Sequence, residues 1–272
     1  MDIWHVTLTA ERESRLSLFP DEAAYLEALH RLGKVCAGCL ALFALIAEHL
    51  HLVALRSRPA AGRLAQATIL TLRPVVTTPL APSYFKPVDT RSYMRWLLRY
   101  ILEQPQKHGM PGHPALWVGS CLPDLVGARI IGGLSLRIEQ ALPDYSHDMA
   151  LRILGLPGKH VAPAGREALR AAGAHRLKLA AAATLGVGPS LNGNTPAARL
   201  ARRALFQLAE RVGIRPGEAA AALGSSLNSA RRLRRPAVAP HVLKAIARRV
   251  TLENLVQGEA TAQPVRVTAH RG

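Results

Sequence analysis

The sequence predicts an α+β fold, an antiparallel sheet with helices on one face, followed by an all-α region. Three observations carry this. Strand-like and helix-like patterns alternate over the first hundred residues. The stretch "LPGKHVAPAG" (156–165) has the composition of a linker. Beyond it the chain is rich in Ala, Leu and Arg and reads as helix almost throughout. The expected domains are therefore residues 1–150 and 160–260.

The elements follow in order. "IWHVTLTA" (3–10) alternates apolar and polar residues, the pattern of a half-buried strand. Pro20 and Asp21 open a helix whose apolar positions Ala24, Leu26, Leu29 and Leu32 lie near helical spacing, and Gly33 is expected to end it. "CLALFALIAEHLHLVAL" (39–55) reads as a strand or a pair of strands. Residues 56–82 hold a helix candidate and a Pro-rich loop, and "SYFKPVD" (83–89) reads as a short strand. "TRSYMRWLLRYILEQ" (90–104) has a cap at Thr90, a helical recurrence of Trp96, Leu97 and Tyr100, and a stop at Pro105. In the second half, "GVGPSLNGNTP" (186–196) is an evident loop, and residues 161–190 read as helix packing.

Composition narrows the function classes. Lys+Arg is 35 against Asp+Glu 18, a net charge of +17. Residues 161–272 hold 18 of those bases and only 5 of the acids, so the second half carries most of the excess. Such a balance favours a polyanionic partner. Three cysteines do not make a disulfide framework, and the single C-x-x-C at Cys36 and Cys39 reads as two small buried residues rather than half a zinc site. The N-terminus lacks a signal-peptide pattern, and the longest apolar run, 39–47, is too short for a bilayer. A cytoplasmic protein without a membrane partner is expected.

One stretch asks a chemical question. "EHLHLVAL" (48–55) places His49 and His51 two residues apart in an apolar strand, where i and i+2 share a face. Glu48 points the other way on that strand and is not expected to be a ligand. On the 90–104 helix, Tyr100 and Gln104 are four apart and lie on one face. If that face packs across the histidine strand, two imidazoles and an amide oxygen converge on a cation beside a phenol. That set suits a divalent ion such as Mg or Mn and leaves positions open for a phosphate oxygen and water. A tyrosine nucleophile would conserve the phosphodiester energy in a covalent bond. Tyr93, with Leu97 rather than an amide at i+4, reads as packing. His5 reads as buried packing or as support behind the ligands.

The first half, over residues 3–145, resembles the REP-associated tyrosine transposases, a group of HUH enzymes acting on single-stranded DNA. "WHVTLTAERESRLSLFPDEAAYLEAL", "LFALIAEHLHLVAL", "SYFKPVDTRSYMRWLLRYILEQPQKHGM" and "HPALWVGS" look like its segments in its order. The resemblance implies a ferredoxin-like HUH palm, His49, His51 and Gln104 as metal ligands, and Tyr100 as nucleophile. It implies cleavage of single-stranded or hairpin DNA through a 5′-phosphotyrosine, and it allows a homodimer. Two departures stand out: Ala47 and Glu48 replace the usual Pro-Asn before the histidines, and Gln104 stands where Asn is common.

"GIRPGEAAAALGSSLNSARRLRRP" (213–236) reads as a helix-turn-helix with "ARLARRALFQLAERV" (198–212) packed behind it. Ala230 and Leu233 would face inward, leaving Asn228, Ser229, Arg231, Arg232, Arg234 and Arg235 outward to contact DNA. The arrangement is similar to C-terminal DNA-binding modules appended to some of these transposases. Two rivals follow. One is a non-catalytic DNA-binding regulator that keeps the transposase scaffold. The other is a relaxase or replication initiator, which the missing H-x-H-x-x-x-H pattern disfavours.

Overall fold

A computed structural model describes residues 2–10, 17–80, 84–157 and 160–262; Ser83 of the expected short strand and residues 158–159 of the expected linker lie outside these. The first half runs β1 (Trp4–Thr9), α1 (Glu22–Cys36), β2 (Leu40–Leu45), β3 (His49–Ala54), α2 (Arg58–Leu72), β4 (Tyr84–Pro87) and α3 (Arg91–Lys107). The strands form one sheet in the order β2-β3-β1-β4, and every neighbouring pair is antiparallel. The 39–55 run is thus a pair of strands. It turns at 46–48, where the Ile46 N–H donates to the His49 carbonyl at 3.0 Å.

The sheet is covered on both faces, which corrects the expectation of helices on one. Arg58 at the start of α2 lies over Trp4 and Phe85, on the face that Val6 and Leu8 share. The rings of His51 and Tyr100 meet on the other face, which α3 covers. The sequence carries the reason. "LALFAL" in β2 is a continuous apolar run, not an alternating one, and all six of its residues are buried.

Helix ends follow local chemistry with two exceptions. Asp21 caps α1 through a 2.8 Å bond from the Ala24 N–H, and Thr90 caps α3 through one of 3.1 Å from the Tyr93 N–H. Gly33, however, does not end α1, which continues to Cys36. Its lack of a side chain serves packing instead: a Cβ there would sit 2.3 Å from the Gly132 carbonyl oxygen. Nor does Pro105 stop α3, which carries it within the last turn before Lys107.

Residues 113–157 contain three short helices, α4 (Leu122–Leu125), α5 (Ile138–Ala141) and α6 (His147–Ile153). The segment around Gly119 straps the end of β2. Leu45 donates its N–H to the Gly119 carbonyl at 2.9 Å, and Trp117 Nε1 donates to the Leu45 carbonyl at 3.1 Å. A Cβ on Gly119 would lie 2.2 Å from that same Leu45 oxygen, so only glycine fits.

The second half is helical: α7 (Arg166–Thr184), kinked at Gly173, α8 (Pro196–Val212), α9 (Pro216–Ala222), α10 (Leu227–Arg231), a 3₁₀ turn at Arg232–Arg234, and α11 (Pro240–Ala262). Apolar burial falls into two clusters. One spans Val6 to Val161 and includes Leu252; the other spans Leu169 to Val250. Helix α11 contributes to both. Among the described residues no helix is long and apolar enough to cross a membrane.

Candidate metal and nucleophile site

Strand pairing sets the site. Thr7 of β1 lies opposite His51 of β3, and Thr9 lies opposite His49. His5 and Thr7 therefore share the histidine face. His51 is 2 % exposed, and its Nδ1 lies 3.0 Å from His5 Nε2 and 3.3 Å from Thr7 Oγ1. With a proton on His51 Nδ1 donated to His5, the His51 Nε2 lone pair is left bare. That Nε2 is buried and has no hydrogen-bond partner among the described residues. A buried nitrogen without a partner is costly unless something binds it. His5 thus stands where it can orient His51, the placement a metal-binding imidazole would need.

Helix α3 delivers the rest. Gln104, 1 % exposed, places Oε1 3.3 Å from His49 Nε2 and donates its Nε2 to the Tyr100 carbonyl at 3.0 Å. The amide is thus oriented with its oxygen toward the histidines. The Tyr100 ring stands 5.3 Å from that of His51 and 6.3 Å from that of His5, both edge to face. Its flank stacks on Trp96 at 4.8 Å, and Trp96 stacks in turn on Tyr93 at 5.5 Å. Lys86 lies over Tyr93 and Lys107 over Tyr100, so cations cap both ends of this aromatic column. Tyr93 is part of a stack on the helix surface, as well as packing.

The imidazoles are held neutral. Burial pushes His51 down to about 2, reinforced by His49 and His5, and pushes His5 down to about 4, reinforced by Lys86. Burial also lowers His49, against the opposing hydrogen bond from Gln104. Neutral nitrogens are the form that binds a metal.

Acid should therefore destabilise the metal-free protein. These groups bind protons more readily when unfolded, near 6.5, than when folded, so stability rises with pH between the two values. It is complete above about pH 6.5 and is lost as pH falls toward the folded values, by about 1.4 kcal/mol per pH unit for each group. Urea unfolding between pH 7.5 and 4.5 checks this. The expected slope is shallower in His5→Gln, and equal slopes in the two proteins would contradict the assignment.

The sequence reading missed two ligand candidates. Glu48, His49 and His108 each place a ligand atom within 4.8 Å of the others. Strand alternation sets Glu48 aside only if it lies on the strand, and β3 begins at His49, so that geometry does not govern it. Its carboxylate lies 4.0 Å from His108 Nδ1. His108 caps the C-terminus of α3, one turn beyond Gln104, and its ring is 4.7 Å from that of His49. The i+4 rule applied once more from Gln104 would have found it. His49 belongs to both possible sets.

The other sites resolve separately. Cys36 and Cys39 are buried, and the hydrogen bond from the Cys36 thiol, with Arg56 beside it, draws Cys39 below its ordinary value. Where the helix-turn-helix was expected, α9 and α10 pack together through buried Ala219, Ala220 and Ala230, and Gly224 makes the turn with positive φ. The second helix is only five residues long before its 3₁₀ turn. Asn228, Ser229, Arg231, Arg232 and Arg235 are exposed. Arg234 is exposed as well, and it also donates to Glu210 Oε1 of α8 at 2.8 Å and 2.5 Å.

No family model, no curated protein and no solved structure matches this chain.

Proposed function

We propose that the chain is a divalent-metal-dependent tyrosine nickase and strand-transferase, a transposase-type enzyme acting on single-stranded or hairpin DNA. The observation that carries this is the meeting of Tyr100 with two neutral imidazoles and an oriented amide oxygen across elements far apart in sequence. The β-α-β-β-α-β connectivity and strand order support a ferredoxin-like palm as the scaffold. His49, His51 and Gln104 would hold the ion, with Glu48 and His108 at its open side. The ion, Mg or Mn, would neutralise charge on the non-bridging phosphate oxygens. The orphaned His51 Nε2 and the donor set of nitrogen and amide oxygen fit that role.

Tyr100 Oη then attacks phosphorus in line. An Oη–P bond forms and the P–O3′ bond breaks, giving a 5′-phosphotyrosine and a free 3′-hydroxyl. The phenol proton leaves to solvent, and the 3′ oxygen takes one up. Trp96 stacked on the ring holds its direction, which is the positioning such a displacement needs. Attack by another 3′-hydroxyl reverses the step and joins new ends.

Metal binding tests the site without relying on turnover. Titration of Mn into wild type should show one tight site, read by the loss of the free-ion paramagnetic resonance signal. His49→Ala should weaken binding by about 100-fold, the most of any single change, because it belongs to both ligand sets. His51→Ala should follow, and His108→Ala should cost about tenfold. Wild-type affinity in His49→Ala would end the metal assignment.

A second reading, a DNA-binding regulator that keeps the scaffold without cleaving, draws on the concentration of positive charge in residues 161–272. The two readings part on covalent adduct formation with hairpin DNA.

A further inference from the structure

The second half contains a cleft of about 480 Å³ lined by Arg199, Arg202, Arg203, Arg232 and Arg235, with Pro196, Leu233 and Pro236 as its apolar wall. No carboxylate lines it. Arg202 is fixed by donating to the Leu191 carbonyl at 2.5 Å and the Gly193 carbonyl at 2.9 Å. Among the described residues the other four guanidinium groups make no hydrogen bond or ion pair. The contrast with Arg234, on the same turn but paired with Glu210, is direct. Like charges gathered without counter-charge repel one another, and a protein that needed only solubility could spread them.

The cleft is also built rather than incidental. Gln207 of α8 is buried and donates its Nε2 to the carbonyls of Leu233, Arg234 and Pro236 at 3.0, 3.1 and 3.0 Å. Its Oε1 accepts the Val238 N–H at 2.9 Å. One side chain thus clamps the arginine-bearing turn onto the helix that carries Arg199, Arg202 and Arg203. The two walls keep a fixed spacing.

We propose that this five-arginine cleft grips the phosphate backbone of duplex DNA, with α10 beside it. Three features choose that ligand. First, exposed Arg231 and the neutral polar Asn228 and Ser229 of α10 extend the polar surface beyond the cleft's arginines, further than one small anion needs. Second, residues 161–272 contain a single Phe, Tyr or Trp side chain, Phe206, and it is fully buried. Binding of unpaired bases depends on exposed aromatic rings to stack against, so single strands lack their usual support here. Third, the short polar side chains on α10 suit the B-form major groove, whereas that of an A-form duplex is too deep and narrow for side chains to read. The site is independent of Tyr100 and of any metal.

The test uses the full chain and fluorescence anisotropy with a 30-base-pair duplex over a range of salt concentrations. Replacing Arg199, Arg203, Arg232 and Arg235 by Ala should weaken binding at least tenfold. It should also lower the slope of log affinity against log salt by about 3 to 4, near 0.9 for each phosphate no longer neutralised. A control replacing Arg166, Arg170, Arg211 and Arg215, exposed and outside the cleft, removes the same formal charge and should change the slope far less. Melting curves confirm that each variant is folded. Equal losses in the two variants would overturn the cleft as the site. A loss in the cleft variant as large for single strands or for duplex RNA as for duplex DNA would overturn the ligand. Tyr100→Phe should bind the duplex as wild type does, so failure of the nickase reading leaves this result standing, and the converse holds.

Discussion

Tyr100→Phe should abolish the covalent adduct with hairpin DNA while leaving the protein folded. The substitution removes one hydroxyl and keeps the ring, so the stack on Trp96 and the edge contacts to His5 and His51 survive. Stability should change by no more than about 0.5 kcal/mol, as for a partly exposed side chain. Metal affinity should be unchanged, because the phenol is not among the proposed ligands. Activity should nevertheless fall by about 10⁴-fold or more, the scale seen when a nucleophile is deleted. Incubation with 5′-labelled and 3′-labelled hairpins in the presence of Mn, resolved on denaturing gels, separates the outcomes. The wild-type adduct should retain the strand 3′ of the nick and release a free 3′-hydroxyl. An adduct that persists in Tyr100→Phe would remove Tyr100 from the chemistry. Tyr93→Phe is the matched control, since its ring lies at the far end of the same column from the histidines.

The core of this site was legible because it rests on short periods. Two histidines on one strand face and a Tyr–Gln pair on one helix face follow from repeats of 2 and about 3.6 residues. What periodicity cannot supply is the register between elements, and Glu48 and His108 depend on that register. Excluding Glu48 extends strand alternation one residue into a turn. His108 stands where α3 outlasts Pro105, a residue that ordinarily ends a helix but is tolerated here in the last turn. The covered second face of the sheet was written in the uninterrupted apolar run of β2, yet alternation in β1 pointed to a half-solvated sheet. In the helical half, the exposure of Arg232 and Arg235 could be read from Ala230 and Leu233. The partnership of Arg234 with Glu210, and of the turn with Arg199, Arg202 and Arg203, depends on tertiary packing through Gln207 that no local pattern encodes. The distribution of aromatic residues adds a division of labour. The column of Tyr93, Trp96 and Tyr100 lies in the half proposed to act on single strands, and the arginine cleft lies in the half whose described residues expose no Phe, Tyr or Trp.

Asp124→Ala should destabilise the fold more than any change at the proposed catalytic site. Asp124 and Arg129 form an ion pair whose side chains are only 4 % and 3 % exposed. Arg129 Nε lies 3.0 and 3.1 Å from the two carboxylate oxygens, and its remaining donors reach the Val118 and Ser120 carbonyls at 2.6 Å each. Burial nevertheless raises the Asp124 carboxyl above its ordinary range, with Arg129 opposing it. The pair therefore does not fully offset its own desolvation, and its worth lies in what would happen if one member were missing. Removing the carboxylate strands a buried guanidinium against Phe43 and two carbonyls, at a cost of about 3–5 kcal/mol. That corresponds to a fall of roughly 10 °C in melting temperature. Asp124→Asn keeps an acceptor and should fall between the two. The double change Asp124→Leu, Arg129→Met removes both charges and should recover part of the loss, limited by the Val118 and Ser120 carbonyls it leaves unpaired. Those carbonyls belong to the strap that holds Leu45, and Leu45 ends the strand from which the chain turns into His49. The same variants should therefore bind Mn less tightly, in the order of their lost stability. A drop in melting temperature of only a degree or two in Asp124→Ala would show that the strap, and with it the histidine hairpin, is held without help from the ion pair.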